Sequence, residues 1–296
     1  MSVLSPSRPA PTVRPGALKA RRKRTRVRSG YNLMAGLAIV LIGFPVYWMV
    51  ATALKPGNKA LQPTPQWFPW PLTTANFSAA VHKDFFLSSL RNSVLVVVCV
   101  VVLALLVASL AALAVSRFQF RGRAVFIVMI VGIQMVPLAG LVIPLFRVLA
   151  TAHLTNRIPG LVLAYLTFVL PFTVWTLRGF ITNIPVELEE AALVDGCSRT
   201  SAFFRITLPL IAPGLVATGI FAFIQAWNDF LLAVTIMQNN KDYTATVWLS
   251  FFTNRQGTSY PELMAGSTII AAPVVVFFMA VQHRVAAGLT AGAVKG

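Results

Sequence analysis

Residues 93–115 read SVLVVVCVVVLALLVASLAALAV, an unbroken run without a single charged side chain. As a helix rising 1.5 Å per residue, a run of this length reaches past the ~30 Å hydrocarbon core of a bilayer. Its apolar residues do not alternate with polar ones, as the ~10-residue strands of a membrane barrel must. The run is therefore a membrane-spanning helix. Working outward, similar stretches recur at about 31–54, 87–115, 124–146, 159–178, 209–234 and 263–282. Each is near the ~20 residues that a crossing needs. Only 11% of the 296 residues are charged and 57% are hydrophobic, where a soluble domain carries roughly 25% charge. The expected fold class is an all-α polytopic membrane protein with about six transmembrane helices. Collagen, coiled coil, disulfide scaffold and wholesale disorder are excluded by the same composition.

The net charge of +17 would suggest nucleic acid on a soluble chain, but here its placement matters more. Nine Lys and Arg fall within residues 1–30 with no acid among them, including the cluster Arg21, Arg22, Lys23, Arg24, Arg26 and Arg28. Such a cluster flanks a span and fixes its orientation. With both termini inside, inner segments hold 17 Lys and Arg and outer loops 7, and the tail decides the difference. Residues 1–30, rich in Pro, Ser and Arg, are expected to be a disordered basic cytoplasmic tail. The tail and first run resemble a signal peptide, yet the run exceeds the ~7–15 residues of a signal core. Residues 31–283 then form the transmembrane domain and 284–296 a cytoplasmic C-terminal tail. Outside, PTPQWFPWPL places Trp67, Phe68 and Trp70 where aromatic residues anchor at a membrane boundary. Five of the six spans contain proline, and kinked helices suit a path that opens and closes.

No catalytic constellation is legible. The chain has no GxSxG, HExxH or GxxxxGK[ST], and His82, His153 and His283 fall near different loops, so neither metal nor nucleotide binding is expected. Cys99 and Cys197 are isolated and lie in separate environments. Asp229, beside Asn228, is the only acid inside an expected span, toward its outer end. Such a chain is one part of a machine whose energy source lies elsewhere.

The loop between the fourth and fifth spans, residues 180–214, reads FITNIPVELEEAALVDGCSRTSAFFRITLPLIAPG. Asn183 and Pro185 suit a helix start, and Glu187, Glu189 and Glu190 favour the positive end of its dipole. Gly196 supplies a left-handed stop. Leu188, Ala191, Ala192 and Asp195 recur at helical spacing, so a helix of about 11 residues is expected to present a small-residue stripe to a partner. Ser198 or Ser201 can cap a second helix carrying Phe203, Phe204 and Ile206, which Leu208-Pro209 redirects into the membrane.

The pattern Glu190-Ala191-Ala192, Gly196, Ile206, Leu208-Pro209 is similar to the EAA motif of permease subunits in binding-protein-dependent ABC importers. FPVYWMVATALKP, MVPLAGLVIPLF, PFTVWTLRGF, FAFIQAWNDFLLAV and the terminal GLTAGAVKG resemble the second permease subunit of the maltose-type carbohydrate-uptake family. The resemblance covers nearly the whole chain beyond residue 30. It implies a bacterial inner-membrane protein pairing with a second, homologous permease as a heterodimer. Two ATPase subunits would bind ATP and Mg on the cytoplasmic face, leaving this chain without a cofactor of its own, and an extracytoplasmic protein would deliver the sugar. The loop 180–209 would be the coupling element, with Glu190, Ala191, Ala192, Asp195, Gly196, Ile206, Leu208 and Pro209 at its centre. Gly288, Gly292 and Gly296 would reach the ATPases. Gln225, Trp227 and Asn228 are the candidates for the sugar pathway.

EEAALVDGC and FPVYWMVATALKP resemble permeases for amino sugars and short glucosides. The rival readings are an ABC permease for a non-sugar solute and a stand-alone secondary transporter. The latter calls for midplane ionisable groups or inverted repeats, which the sequence does not display.

Overall fold

The computed structural model describes residues 15–60, 62–254 and 257–293. Helix α1 (Pro15–Ala53) begins well ahead of the first expected span. Residues 15–30, expected to be disordered, continue the helix, while residues 1–14 lie outside the described residues. Pro15 suits the first helical position, and Ala17–Arg28 is mostly Ala, Leu, Lys and Arg, all good helix formers. Once the membrane span has nucleated the helix, each added residue needs only one further hydrogen bond. Through the span itself, Leu37, Ile39 and Leu41 point outward, as lipid-facing side chains do.

After α1 the chain makes a single turn, α2 (Gly57–Ala60), and the short α3 (Ala75–Val81). Asn76 secures this outer segment by donating its side-chain amide to the carbonyls of Ala53 and Lys55, at 2.7 and 2.8 Å. The Lys55 ammonium lies 4.2 Å from the centre of the Trp48 ring and donates to the Gln66 carbonyl. Burial pushes its pKa down. Trp67 packs edge-on against Trp48, yet it is exposed, as are Phe68 and Trp70.

Helix α4 (Phe86–Arg117) is the second expected span, and it organises the core. Val96, Val100, Ala104, Ala108 and Ala112 recur every four residues and are all essentially buried. This narrow stripe of small side chains lets neighbouring backbones approach closely. Against it lie α7 (Ile158–Thr182) and α11 (Ala212–Asn228), through Leu161, Tyr165, Val169 and Ala222.

The third expected span is broken. It consists of α5 (Arg123–Gln134) and α6 (Leu138–Thr151), whose axes differ by 107°. Pro137 has extended backbone angles and no N–H to offer, and it disfavours helical geometry at Val136. Pro45, Pro171 and Pro273, by contrast, lie inside continuous helices.

Beyond α7 come α8 (Val186–Val194), α9 (Arg199–Ala202), a π-helical turn at Phe203–Thr207 and α10 (Leu208–Leu210). The run Arg199–Leu210 meets α11 at 73°. The redirection lies at Ile211, with Pro213 in the first turn of α11, and not at Leu208-Pro209 as expected. At this corner a side chain on Gly214 would place its Cβ 2.6 Å from the Phe180 ring, so only glycine permits the approach.

The fifth expected span also ends early. Helix α11 stops at Asn228, and α12 (Leu231–Ile236) follows as a separate piece. Next come α13 (Ala245–Trp248), a two-residue antiparallel ladder pairing Thr253 with Thr258, and the last helix, α14 (Tyr260–Ala293). Helix α14 packs against α1 and α3. Among the described residues the architecture is thus four long apolar helices and two bent pairs, up to six spans by length and composition when each pair counts as one.

Candidate functional site

The loop 183–210 folds into a knob of short helices, its second half, Arg199–Leu210, running into α11 at the 73° bend. Pro185 occupies the N-cap of α8, while Asn183, expected near that start, instead caps the end of α7. Glu187 and Glu189 lie in the first turn, at the positive end of the helix dipole. The helix is 9 residues long, shorter than expected, because two reverse bonds close it. Gly196 N–H donates to Leu193 and Cys197 N–H to Ala192, with Gly196 at φ +86. This is a Schellman stop, whose left-handed position suits glycine. Ser198, not Ser201, caps α9, accepting from the Ser201 N–H at 3.2 Å.

Glu190, Ala191, Asp195 and Gly196 are exposed on the knob. Ala192 is not: it is 5% exposed and packs inward. Successive helical residues are rotated by about 100°, so Ala191 and Ala192 cannot share one outward stripe. The outer surface is carried by Ala191 with Leu188 and Val194, Val194 being the most exposed. Ile206 and Leu208 are half-buried beneath the knob, and Pro209 is exposed.

The inward face carries a polar junction absent from the expected set. Arg117, at the end of α4, places Nε 3.0 Å from Glu189 Oε1 and donates from Nη2 to the Ile184 carbonyl at 2.9 Å. The Thr207 hydroxyl donates to the same Glu189 oxygen at 2.8 Å. A cavity of about 170 Å³ lies beside this junction, lined also by Phe118, Glu190, Arg199 and Phe203. The clue in the sequence was Arg117 itself, the first charge after the long apolar run of α4.

The second site is a cleft of about 500 Å³ where α5 and α6 part, facing α7 and α11. Gln134 and Pro137 line it from the break, Thr167, Phe168 and Phe172 from α7, and Phe221, Gln225 and Asn228 from α11. Phe172 and Phe221 approach with ring centroids 3.9 Å apart. Gln225 and Asn228 both line this cleft, on one face with Phe221, four and three residues apart. Trp227 does not join them. It is 4% exposed and stacks on Phe223, on another side of α11.

Asp229 also lines the cleft, but not as a residue inside a span. It terminates α11, and its Oδ2 accepts from the Tyr165 hydroxyl at 2.9 Å and from the Ala233 N–H at 3.0 Å. Its backbone carbonyl accepts from the Thr246 hydroxyl at 2.7 Å. One residue therefore ties α7, α12 and α13 to the wall of the cleft. Amides, a hydroxyl, a carboxyl and phenyl faces together suit a neutral polyhydroxylated ligand, with hydrogen bonds at its edges and C–H faces against the rings. Gly288 and Gly292 fall in the last turns of α14, which continues as helix where a separate tail was expected. Gly296 lies outside the described residues.

The family model for the inner-membrane component of binding-protein-dependent transport systems matches residues 101–290, a stretch that includes the whole knob and the cleft. The chain belongs to this family. This inner-membrane component is 41% identical over 265 residues to the diacetylchitobiose uptake system permease protein DasC of Streptomyces coelicolor, covering 90% of this chain and 96% of that protein. It is 37% identical to the trehalose transport system permease protein SugB of Mycobacterium tuberculosis, covering 90% and 95% respectively. Its fold is similar to that of a chain from the crystal structure of a bacterial ABC transporter involved in the import of the acidic polysaccharide alginate. That match has a TM-score of 0.76 at 20% identity and covers 93% of this chain and 99% of the other.

Proposed function

We propose that this permease forms half of the path of an ATP-driven importer for short oligosaccharides, and that its knob is the seat of an ATPase subunit. The observation that carries the reading is the cleft at the α5–α6 break, where Gln134, Thr167, Gln225, Asn228 and Asp229 meet three phenyl rings. Its volume falls within the ~300–1,000 Å³ of small-molecule sites, and neutral amides outnumber the single carboxyl. The named relatives, for diacetylchitobiose and trehalose, support a disaccharide-sized cargo.

In this reading both termini and the knob face the cytoplasm, where the Lys and Arg excess lies. A second, homologous permease closes the open side of the cleft, and an extracytoplasmic binding protein delivers sugar. ATP hydrolysis belongs to partner ATPase subunits. Their closure moves the knob, and the two bent helix pairs exchange an inward-open for an outward-open cleft. The test is reconstitution of the full complex in vesicles with its binding protein, measuring uptake of labelled diacetylchitobiose and trehalose with and without enclosed ATP. ATP-dependent accumulation of one of them, with its KM raised by Gln225→Ala, is expected. Uptake of neither, or uptake indifferent to ATP, would overturn the reading.

A further inference from the structure

Among the described residues one ion pair appears, and it joins the knob to the core helix of the bundle. The side chains of Arg117 and Glu189 are only 11% and 18% exposed. Burial at that level costs both charges hydration, so the pair adds little net stability over apolar side chains of the same size. What it does supply is one fixed geometry. Arg117 reaches α8 through Glu189 and the start of the knob through the Ile184 carbonyl. Glu189 in turn holds Thr207, a fully buried residue at the end of the π-helical turn that leads to α10 and α11. π-turns place an extra residue in a helix and are frequent at functional sites. Here the turn brings the Thr207 hydroxyl onto the same carboxylate oxygen that meets Arg117. A second, weaker tie runs parallel, with the Arg199 guanidinium 5.9 Å from the Phe118 ring.

We propose that Arg117, Glu189 and Thr207 form a strut that carries movement of the knob into the spans. The inference rests on the knob being the ATPase seat, but adds Arg117 from outside the EAA loop, two loop residues that the motif does not specify, and a direction of transmission. The chain connects α8 to α7 and α10 to α11, so either helix could yield at its own hinge, at Asn183–Pro185 or at Ile211. The strut removes that freedom. It locks the knob to the end of α4, and α4 packs along both α7 and α11, which carry the cleft residues Thr167, Phe172, Phe221 and Gln225. Arg117 and Glu189 are positioning residues: neither lies in the cleft, and their partners are each other, Thr207 and a backbone carbonyl.

The experiment uses the reconstituted complex with its binding protein and whichever of diacetylchitobiose and trehalose it transports. It compares wild type with Arg117→Met/Glu189→Leu, an apolar pair of similar reach that preserves packing, and with Glu189→Gln, which keeps an acceptor for Thr207 but removes the charge. Membrane abundance, retained ATPase subunit, basal hydrolysis, sugar-stimulated hydrolysis and uptake are measured. In the apolar variant we expect normal abundance, retention and basal hydrolysis, with stimulation and uptake reduced about tenfold, within the usual range of coupling between sites. Glu189→Gln is expected to lie between the two. Full stimulation and uptake in the apolar variant would overturn the strut, and so would loss of the ATPase subunit itself, which would make the pair a docking or folding element. If the wild-type complex shows no sugar-stimulated hydrolysis, the knob's assignment fails first, independently of the pair.

Discussion

Tyr165 on α7 and Asp229 just past the end of α11, 64 residues apart, are joined by a hydrogen bond of 2.9 Å at the edge of the cleft. The tyrosine is completely buried between α4 and α11, so its hydroxyl has one place to go. The aspartate stands where α11 ends, and the same oxygen begins α12 by accepting from Ala233. The bond therefore fixes the angle at which the helix breaks as well as the position of a carboxyl in the cleft.

Tyr165→Phe removes that hydroxyl and little else. A net side-chain hydrogen bond contributes about 0.5–1.5 kcal/mol, so the variant is expected to unfold at a lower temperature in detergent. Sugar uptake should fall through a raised KM, because Asp229 loses its orientation. Unchanged thermal midpoint and KM would show that the bond positions nothing. Asp229→Ala, which also removes the cap on α12, is expected to be the more severe change in both measurements.

The two halves of the FIQAWND segment should behave differently. Gln225 and Asn228 face the cleft, so Gln225→Ala and Asn228→Ala should each raise KM for sugar about fivefold, the loss of one hydrogen bond of ~1 kcal/mol. Permease stability should be untouched. Trp227→Ala empties a buried site stacked on Phe223 and is expected to cost about 3–5 kcal/mol of stability, with low membrane abundance as the readout. A Trp227→Ala protein of normal abundance with a raised KM would return the tryptophan to the sugar path.

The reason Trp227 parts from Gln225 and Asn228 is geometric. Sequence chemistry put three polar or aromatic residues together, but helical rotation separates a residue from its neighbour by about 100° and reunites it with those three and four away. Phe221, Gln225 and Asn228 follow that spacing, and it was open to reading. So was the stripe from Val96 to Ala112. The break at Pro137 was signalled by proline alone, yet the same residue type at Pro45, Pro171 and Pro273 leaves helices continuous, so tertiary packing decides which proline breaks. Asp229 was hidden because the apolar run continues through Leu231–Ile236 and gives no sign of a helix end. The Arg117–Glu189 pair lies beyond local pattern altogether: its partners are 72 residues apart and meet only when α4 and α8 are placed.

Sidedness is tested with the native thiol of the knob. In a Cys99→Ser background, Cys197 is half-buried on the loop and Ser78 is exposed on the opposite, Trp67-bearing segment. With both termini inside, a membrane-impermeant maleimide applied to intact cells should modify Ser78→Cys and spare Cys197. Permeabilised cells should label both. Labelling of Cys197 in intact cells would invert the assigned orientation.

The knob makes the last prediction, because its two alanines and its glycine now have different places. Ala191 faces outward, so Ala191→Asp should leave the permease at normal abundance and thermal midpoint but weaken retention of the ATPase subunit. Ala192 packs inward, so Ala192→Asp buries a carboxyl without a partner and should disorder the knob itself, detected as new protease cleavage within residues 183–210. Gly196 has open space around the position of a Cβ but a φ of +86, so shape alone permits a side chain and backbone strain opposes it. Gly196→Val should therefore lose ATPase retention, whereas Gly196→Asn, which tolerates the left-handed region, should keep most of it. Equal loss in the valine and asparagine variants would point to the glycine's lack of a side chain, not its backbone angle, as the feature the partner reads. Equal protease resistance in the two alanine variants would mean that the inward packing of Ala192 does not hold the knob together.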